Sequence, residues 1–430
     1  MNILLLTQVL PYPLDAGPKV RAYYMLRHLA QRHAVTLVSF VRPDDRPEHV
    51  AHLRDIAAAV HTVPIRRSAA ANAVAGVRGL LTGLPIAVVR DAMPAMAALL
   101  RRLTAETRFD VIHADQLSMA GWGLLAAKAA PSRPKTLLDE HNAVYKLAER
   151  IAAESAGLRR LIALREARAF RRYEAAMLRA YDAMLTVTEE DRALLETLEQ
   201  EGIRGQRAEV SGQKSAGRER ELEVGERRSR FTVIPICVDP ERTPVAPRRP
   251  DGPPTILHLG TMFWPPNMAG VLWFGRQVLP RVWAQAPDAR FVVVGKNPPP
   301  EVQALAADPR IEVTGYVADP QPYLEAADVF IVPLFSGSGM RVKILDAWLW
   351  GLPIVATPIG AEGIARRDGE NILIAPDAAA FADAVVRLLT DADLNRRLRA
   401  AGRAWVEARY SWQAVYRRVD EVYARLLDRG

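Results

Sequence analysis

The chain has 430 residues, of which 50% are hydrophobic and 25% charged, with a formal net charge of +8. At roughly 150 residues per domain this length exceeds one ordinary core, and the apolar content is enough for two. The single cysteine, Cys237, excludes a disulfide framework and a cysteine-based metal site, which fits a reducing compartment.

The opening MNILLLTQVLPYP has no basic leader and no cleavage site, so it does not read as a signal peptide. The most membrane-like stretch, 69–89, is interrupted by Arg78 and several glycines and falls short of the ~20 apolar residues of a spanning helix. The expected location is cytoplasmic. The positive surplus could serve nucleic acid, an anionic membrane or a phosphorylated ligand. No aromatic–basic interleaving of the RNA-platform kind occurs, so nucleic acid is not an expected partner. Much of the charge consists of arginines between positions 159 and 179 on a helix whose Phe170, Tyr173, Met177 and Tyr181 share one face. Its basic side then points outward, as a solvated face or as a peripheral contact with the inner face of an anionic membrane.

In chain order, apolar runs at 3–7, 35–40, 60–65, 111–114, 136–138 and 184–187 predict buried strands. Helical patterns separate them, including 20–31 and one long helix over 144–180. Continuous Val/Ile/Leu strands alternating with helices predict a parallel sheet covered on both faces. From 199 to 230 no aromatic residue occurs, Glu mixes with Arg, and Gly and Ser recur. Such a stretch cannot bury enough apolar surface to offset its ordering entropy and predicts a flexible insertion or linker. Strands then resume at 255–259, 291–294, 311–313, 329–333, 354–356 and 372–374. Helices are expected over 268–283, 341–350, 378–389 and 394–408, with a last amphipathic one over 412–427. The expected organisation is an N-terminal Rossmann-like domain (1–198), a charged linker (199–230), a C-terminal ligand-binding domain (231–410) and a terminal helix (411–430) packing back on the first domain.

In open parallel sheets ligands bind beyond the carboxyl ends of the strands. Gly260 and Gly295 follow two strands of the second half, and FSGSGMRVK follows a third. There Ser338 and Gly339 open a helix whose free N–H groups favour an anion, and Arg341 and Lys343 stand in the first turn, where cations oppose the helix dipole unless an anion binds. A local surface pair between Lys343 and Asp346 is the alternative. In the first half, PYPLDAGPKVR puts Gly17 and Arg21 at the mouth of the sheet, as ligands or as a plain turn with Arg21 exposed. His113 reads as a packed core residue. His141, beyond its strand beside Asp139, Glu140 and Asn142, suits sugar binding or proton transfer, while Asn142 or Asp139 could instead cap the following helix. Asn267 reads as an N-cap. No GxGxxG after the first strand, GxxxxGK[ST], HExxH or GxSxG is present, against dehydrogenase, P-loop kinase, zinc protease and serine hydrolase readings.

At these residues the chain resembles the retaining GT-B glycosyltransferases of the large group 1 family, which assemble cell-surface glycans. The run VTGYVADPQPYLEAADVFIVPLFSGSGMRVKILDAWLWGLPIVATPIGAEGI is similar to the family's donor-binding stretch, PYPLDAGPKVR to its glycine-rich acceptor-side loop and VIPICVD to its interdomain hinge strand. The resemblance implies an α/β GT-B fold, two Rossmann-like doubly wound domains facing a central cleft. It implies transfer, with retention and without a metal or other cofactor, from a nucleoside-diphosphate sugar to a glycan or lipid-linked acceptor. It also implies donor contacts from Gly17, Gly260, Gly295, Tyr316, Val317, Ser338, Gly339, Met340, Arg341, Lys343 and Asp346, acceptor-side roles for Gly17, Arg21 and His141, and catalytic roles for His141, Arg341 and Lys343. Three departures stand out. The usual pair of donor-loop glutamates is Ser338 and Asp346. The usual Arg and Lys are missing from GTMFWPPN, which leaves the diphosphate to Arg341 and Lys343. The hinge Asn-Gly is Ile236-Cys237. Two rival readings stay open: a non-catalytic member binding nucleotide sugars or a partner subunit, favoured by Ser338, and a sugar-nucleotide epimerase on the same scaffold.

Overall fold

A computed structural model describes residues 1–14, 16–65, 68–211, 230–243, 245, 252–337 and 339–428, without the side chains of 69, 70, 154 and 202–211. The chain divides into two compact units, Met1–Pro235 with Tyr416–Gly430, and Ile236–Val415. Among the described residues no helix is long and apolar enough to cross a membrane.

The first unit holds β1 (Asn2–Thr7), β2 (Ala34–Val41), β3 (Ala59–Pro64), β4 (Val111–Asp115), β5 (Lys135–Glu140), β6 (Ala183–Thr186) and β7 (Phe231–Val233). They form one sheet in the order β3-β2-β1-β4-β5-β6-β7, and each pairing is parallel. Ile3, Leu4, Leu5 and Leu6 are all buried, so both faces of β1 are covered, as a parallel sheet with helices on each side requires. The order reverses between β1 and β4, and the loops that follow those strands border the switch point.

Three features of this unit differ from the sequence expectation. The long helix over 144–180 is two helices, Val144–Glu154 and Gly157–Ala180, because Gly157 takes a left-handed φ of 56°. The helix Glu189–Ser211 continues past residue 199, into the stretch whose composition suggested a linker; residues 212–229 of that stretch lie outside the described ones. Phe231–Val233, expected to open the second domain, instead pairs with β6, since Phe231 packs into the same core as Met184, Leu195 and Leu198. The helix Trp412–Asp428 belongs to this unit from Tyr416 onward. Within the unit the Tyr416 hydroxyl donates to the Arg21 carbonyl at 3.0 Å, and Asp420 lies 2.8 Å from His28.

The second unit holds β8 (Thr255–Leu259), β9 (Arg290–Val294), β10 (Ile311–Gly315), β11 (Val329–Val332), β12 (Ile354–Ala356) and β13 (Leu373–Ile374). This parallel sheet runs β10-β9-β8-β11-β12-β13, with its own switch point between β8 and β11. Separate apolar clusters cover its two faces, one around Phe274, Phe291 and Phe381 and one around Trp348 and Phe330. Near the carboxyl ends of the strands the backbone packs too closely for side chains. A Cβ on Gly295 would stand 1.7 Å from the Gly260 carbonyl oxygen, and one on Gly270 would stand 2.1 Å from that of Pro333.

Gly270 lies in the helix Pro265–Trp273, where alanine is intrinsically better than glycine by about 1 kcal/mol. Overpacking against a fixed carbonyl costs about 1–3 kcal/mol. Gly270→Ala is therefore expected to lower the denaturation midpoint of the protein; a raised midpoint would mean that helix propensity outweighs the contact.

Candidate functional site

In the second unit, the segment between β11 and the helix Val342–Leu349 bends through Gly337 at φ 123° and Gly339 at φ 76°, backbone that side-chain-bearing residues rarely adopt. Ser338 between them lies outside the described residues. Arg341 precedes the helix and folds back over the bend. Its Nη1 donates to the Gly339 carbonyl and its Nη2 to that of Ile359, both at 3.3 Å, and Nη2 lies 3.9 Å from the Glu362 carboxylate. A Cβ on Gly337 would approach this guanidinium to 3.2 Å.

Lys343, in the first turn, reaches across to the end of β8. Its Nζ donates to Asn267 Oδ1 at 2.9 Å, and Asn267 Nδ2 donates to the Thr261 carbonyl at 2.9 Å. A Cβ on Gly260 would lie 2.8 Å from both Lys343 Nζ and Asn267 Nδ2, so glycine there makes room for the pair. Asn267 is thus not an N-cap: Trp264 holds that place, and Asn267 orients the lysine. Desolvation, with Arg341 adding to it, pushes the Lys343 ammonium down to about 7. The surface pair between Lys343 and Asp346 does not form. Asp346 is exposed on its helix, and desolvation by neighbouring protein pushes its carboxyl up to about 6. Around these groups, Gly295 ends β9 against the Gly260 carbonyl, Val317 and Met340 pack on the Trp348 cluster, and Tyr316 after β10 is 75% exposed. Ser338 aside, the expected donor residues of this unit lie on the segments that follow its strands, with Gly260 and Arg341 flanking the switch point.

In the first unit, Gly17 opens the helix Gly17–Ala30 after β1. Arg21, on that helix, is not a free acceptor-side cation. It is fully buried and forks onto Asp139, with Nε 3.1 and 2.9 Å from the two carboxylate oxygens and Nη2 at 2.7 Å, while Nη1 donates to the carbonyls of Ile234 and Pro235. Burial works against both charges, but each partner overcomes it: Arg21 is held above its ordinary value and Asp139 below its own. His113 is a core residue, 2.8 Å from the Tyr423 hydroxyl and pushed by burial down to about 4.

His141 follows β5, and its Nε2 lies 2.9 Å from Asp115 Oδ1 at the end of β4, with only 8% of the imidazole exposed. Gln116, at φ 71°, donates its amide to the Asp139 carbonyl at 2.8 Å, which fixes the strand end that carries Asp115. Neither Asn142 nor Asp139 caps the next helix. Glu174 does so, accepting the amides of Val144 and Tyr145 at 2.9 and 2.7 Å, and Asp191 accepts that of Ala143 at 3.0 Å. The sequence reading found His141 and missed Asp115, although both end strands that a parallel sheet can make neighbours. Ligand atoms of Asp115, Asp139 and His141 lie within 4.8 Å of one another, close enough for a metal. Both Asp139 oxygens, however, already accept from Arg21, so a cation there would compete with a guanidinium.

Residues 253–391 match the model of a family described as Glycosyl transferases group 1, and residues 16–210 match that of Glycosyltransferase Family 4. Phosphatidyl-myo-inositol mannosyltransferase of Mycobacterium tuberculosis is 28% identical over 211 residues, covering 46% of this chain and 54% of that protein. The chain spans between 29% and 54% of the length of curated relatives such as this one. Sucrose-phosphate synthase from Thermosynechococcus elongatus matches the structure with a TM-score of 0.65 at 19% identity over 100% of both chains. Anabaena HepE in complex with UDP and glucose matches with a TM-score of 0.61 at 14% identity, over 99% of this chain and 100% of that one. Likeness at such identities shows the fold, which is GT-B with two Rossmann-like α/β units.

The raised Asp346 carboxyl has a consequence for stability. Its folded value of about 6 lies above the ordinary 3.8, so the folded state holds its proton more tightly than the unfolded chain does. Protein stability is then diminished as pH rises from about 4 through 6, where the folded state must ionise a desolvated carboxyl. Asp346→Asn removes that cost. The variant is expected to melt above the wild type at about pH 7.5, with the gap closing as pH falls towards 4. A gap independent of pH would show that the carboxylate is well solvated.

Proposed function

Since the chain belongs to the glycosyl transferases group 1 family, we propose that it transfers a sugar from a nucleoside-diphosphate sugar to a glycan or lipid-linked acceptor, with retention of configuration and without a bound metal. The observation that carries this reading is the meeting of Arg341 and Lys343 with the glycine backbone at the switch point of the second sheet. Departure of a nucleoside diphosphate builds negative charge on its phosphates. Preorganised donors aimed at that charge lower the barrier, because they need no reorganisation as it develops. Each charge-assisted hydrogen bond contributes ~1.5–3 kcal/mol.

In this reading Lys343 and Arg341 hold the diphosphate, the N–H groups near Gly339 assist, and Asp346 accepts from the ribose hydroxyls. His141, oriented by Asp115, meets the sugar or the acceptor hydroxyl. Gly260 and Gly295 keep the strand ends free of side chains where the phosphates approach, and Tyr316 and Val317 flank the base. The M. tuberculosis relative, named for mannosyl transfer to phosphatidyl-myo-inositol, supports a lipid-linked acceptor. HepE, solved with UDP and glucose, supports a nucleotide and sugar on this fold.

The first test is thermal stabilisation by a panel of nucleoside diphosphates and their sugars, with and without chelator. A ligand at a hundredfold above its Kd adds ~2.7 kcal/mol. A shift selective for one nucleotide and unaffected by chelator is expected. No shift with any member would overturn the donor site, and interconversion of free donor without acceptor would turn the reading to an epimerase. The anomeric configuration of the product, read by NMR, decides retention.

Lys343 gives a second test. With its ammonium down at about 7, it is mostly neutral at about pH 8 in the free protein. A bound diphosphate favours the charged form, so binding there takes up a proton, and affinity falls as pH rises past 7. Calorimetry in two buffers of different ionisation enthalpy should report that uptake. None at about pH 8 would remove Lys343 from the diphosphate.

A further inference from the structure

Most of the large apolar side chains exposed among the described residues lie in two stretches of the first unit, 74–84 and 147–162. On the helix Ala69–Thr82, Val77, Leu80 and Leu81 recur at the spacing of one helical face, and that face meets solvent, with Leu81 82% exposed. The first turns of Gly157–Ala180 repeat the pattern with Leu158, Leu161 and Ile162, of which Leu158 is 73% exposed. An amphipathic helix of a soluble protein normally turns such a stripe towards the core. The two helices are neighbours: Arg165 donates to the Gly79 carbonyl, and Glu166 accepts the Ile86 amide at 2.9 Å. Monomeric soluble proteins rarely leave a contiguous apolar patch uncovered.

Cations are threaded through this patch. Arg78 stands between Val77 and Leu80, Arg159 and Arg160 separate Leu158 from Leu161, and Arg168 and Arg172 continue the second helix; all five are exposed. Arg165 and Arg171 meet Glu166, Glu149 and Glu201, whereas none of those five meets a carboxylate among the described residues. We infer that this face of the first unit docks on an anionic lipid surface, its leucines entering the boundary between headgroups and acyl chains and its arginines meeting lipid phosphates. Apolar side chains interleaved with unpaired cations are the combination an interfacial site requires. A long arginine can lay its stem on the apolar patch while its head stays at the phosphate level. A second copy of the chain on the same face would set arginines against arginines. The inference does not depend on the donor site, which lies in the other unit.

The full-length protein should cosediment with vesicles of phosphatidylcholine and phosphatidylglycerol, stay largely in the supernatant with phosphatidylcholine alone, and be partly released by high salt. The double substitutions Leu81→Ser with Leu158→Ser, and Arg159→Glu with Arg160→Glu, should each weaken partitioning by about tenfold or more. Both alter exposed positions, so an unchanged melting temperature and unchanged stabilisation by nucleoside diphosphate serve as the folding control. Wild-type protein that remains in the supernatant with anionic vesicles at low salt overturns the inference. So do variants that pellet like the wild type. A concentration-dependent dimer in sedimentation velocity that the leucine variant abolishes would also overturn it, by assigning the face to a second copy.

Discussion

Arg21 holds a full charge at a position with no exposed surface, and the first unit is organised around satisfying it. A buried lone cation would cost many kcal/mol, and removing one partner from such a pair typically costs about 3–5 kcal/mol, so the guanidinium demands its whole set of acceptors. They come from distant parts of the chain: Asp139 at the end of β5, and the carbonyls of Ile234 and Pro235 beyond β7. The backbone of Arg21 in turn accepts from Tyr416. One side chain therefore ties the helix after β1 to the centre of the sheet and to the segment after β7, and its carbonyl holds the terminal helix. The same residue has a second effect through its backbone. The Asp139 backbone carbonyl takes the Gln116 amide, fixing the turn that brings Asp115 to His141. The imidazole is positioned at two removes from a charge it does not touch.

The second unit treats charge differently. Lys343 is desolvated without a carboxylate to compensate it, and Asp346 on the next turn is desolvated without a cation. Lys343 is pushed towards its neutral form, while the exposed Asp346 ionises only above about 6, and a fold selected only for stability would have joined them or replaced them. Glycines at 260, 295, 337 and 339 are the backbone counterpart. At 260, 295 and 337 they let backbone and the Lys343 and Arg341 side chains approach more closely than a Cβ would allow. Close glycine backbone and a desolvated cation at one switch point are what a ligand carrying its own negative charge would complete.

The parallel sheets were legible because buried strands are runs of Val, Ile and Leu whose length and spacing survive without knowledge of partners. The cluster from Gly337 to Asp346 was legible too, because glycines and cations at a strand end are adjacent in sequence. What stayed hidden depends on partners far along the chain. Arg21 looks exposed until Asp139, 118 residues away, arrives beside it. Asn267 looks like a cap until Lys343 crosses to it from 76 residues on. The end of the first domain was misplaced because residues 199–211 have a linker's composition but extend a helix whose earlier turns are anchored by Leu195 and Leu198. Gly157 was passed over because one glycine in a helical pattern does not reveal that its φ is positive.

Geometry also links the imidazole to the exposed face of the first unit. His141 lies three residues before the helix Val144–Glu154, and that helix is capped by Glu174, which belongs to Gly157–Ala180. The first turns of Gly157–Ala180 carry Leu158, Leu161 and the exposed Arg159 and Arg160. Displacing that helix would pull the Glu174 carboxylate from two amides at once, and Asp191 holds the preceding amide in place. A buried cap shared by two helices transmits position because neither helix can move without leaving backbone donors unsatisfied. The surface that meets its surroundings and the residue proposed to meet the sugar or acceptor are thus fixed through one carboxylate, and the break at Gly157 brings it back to the start of the preceding helix.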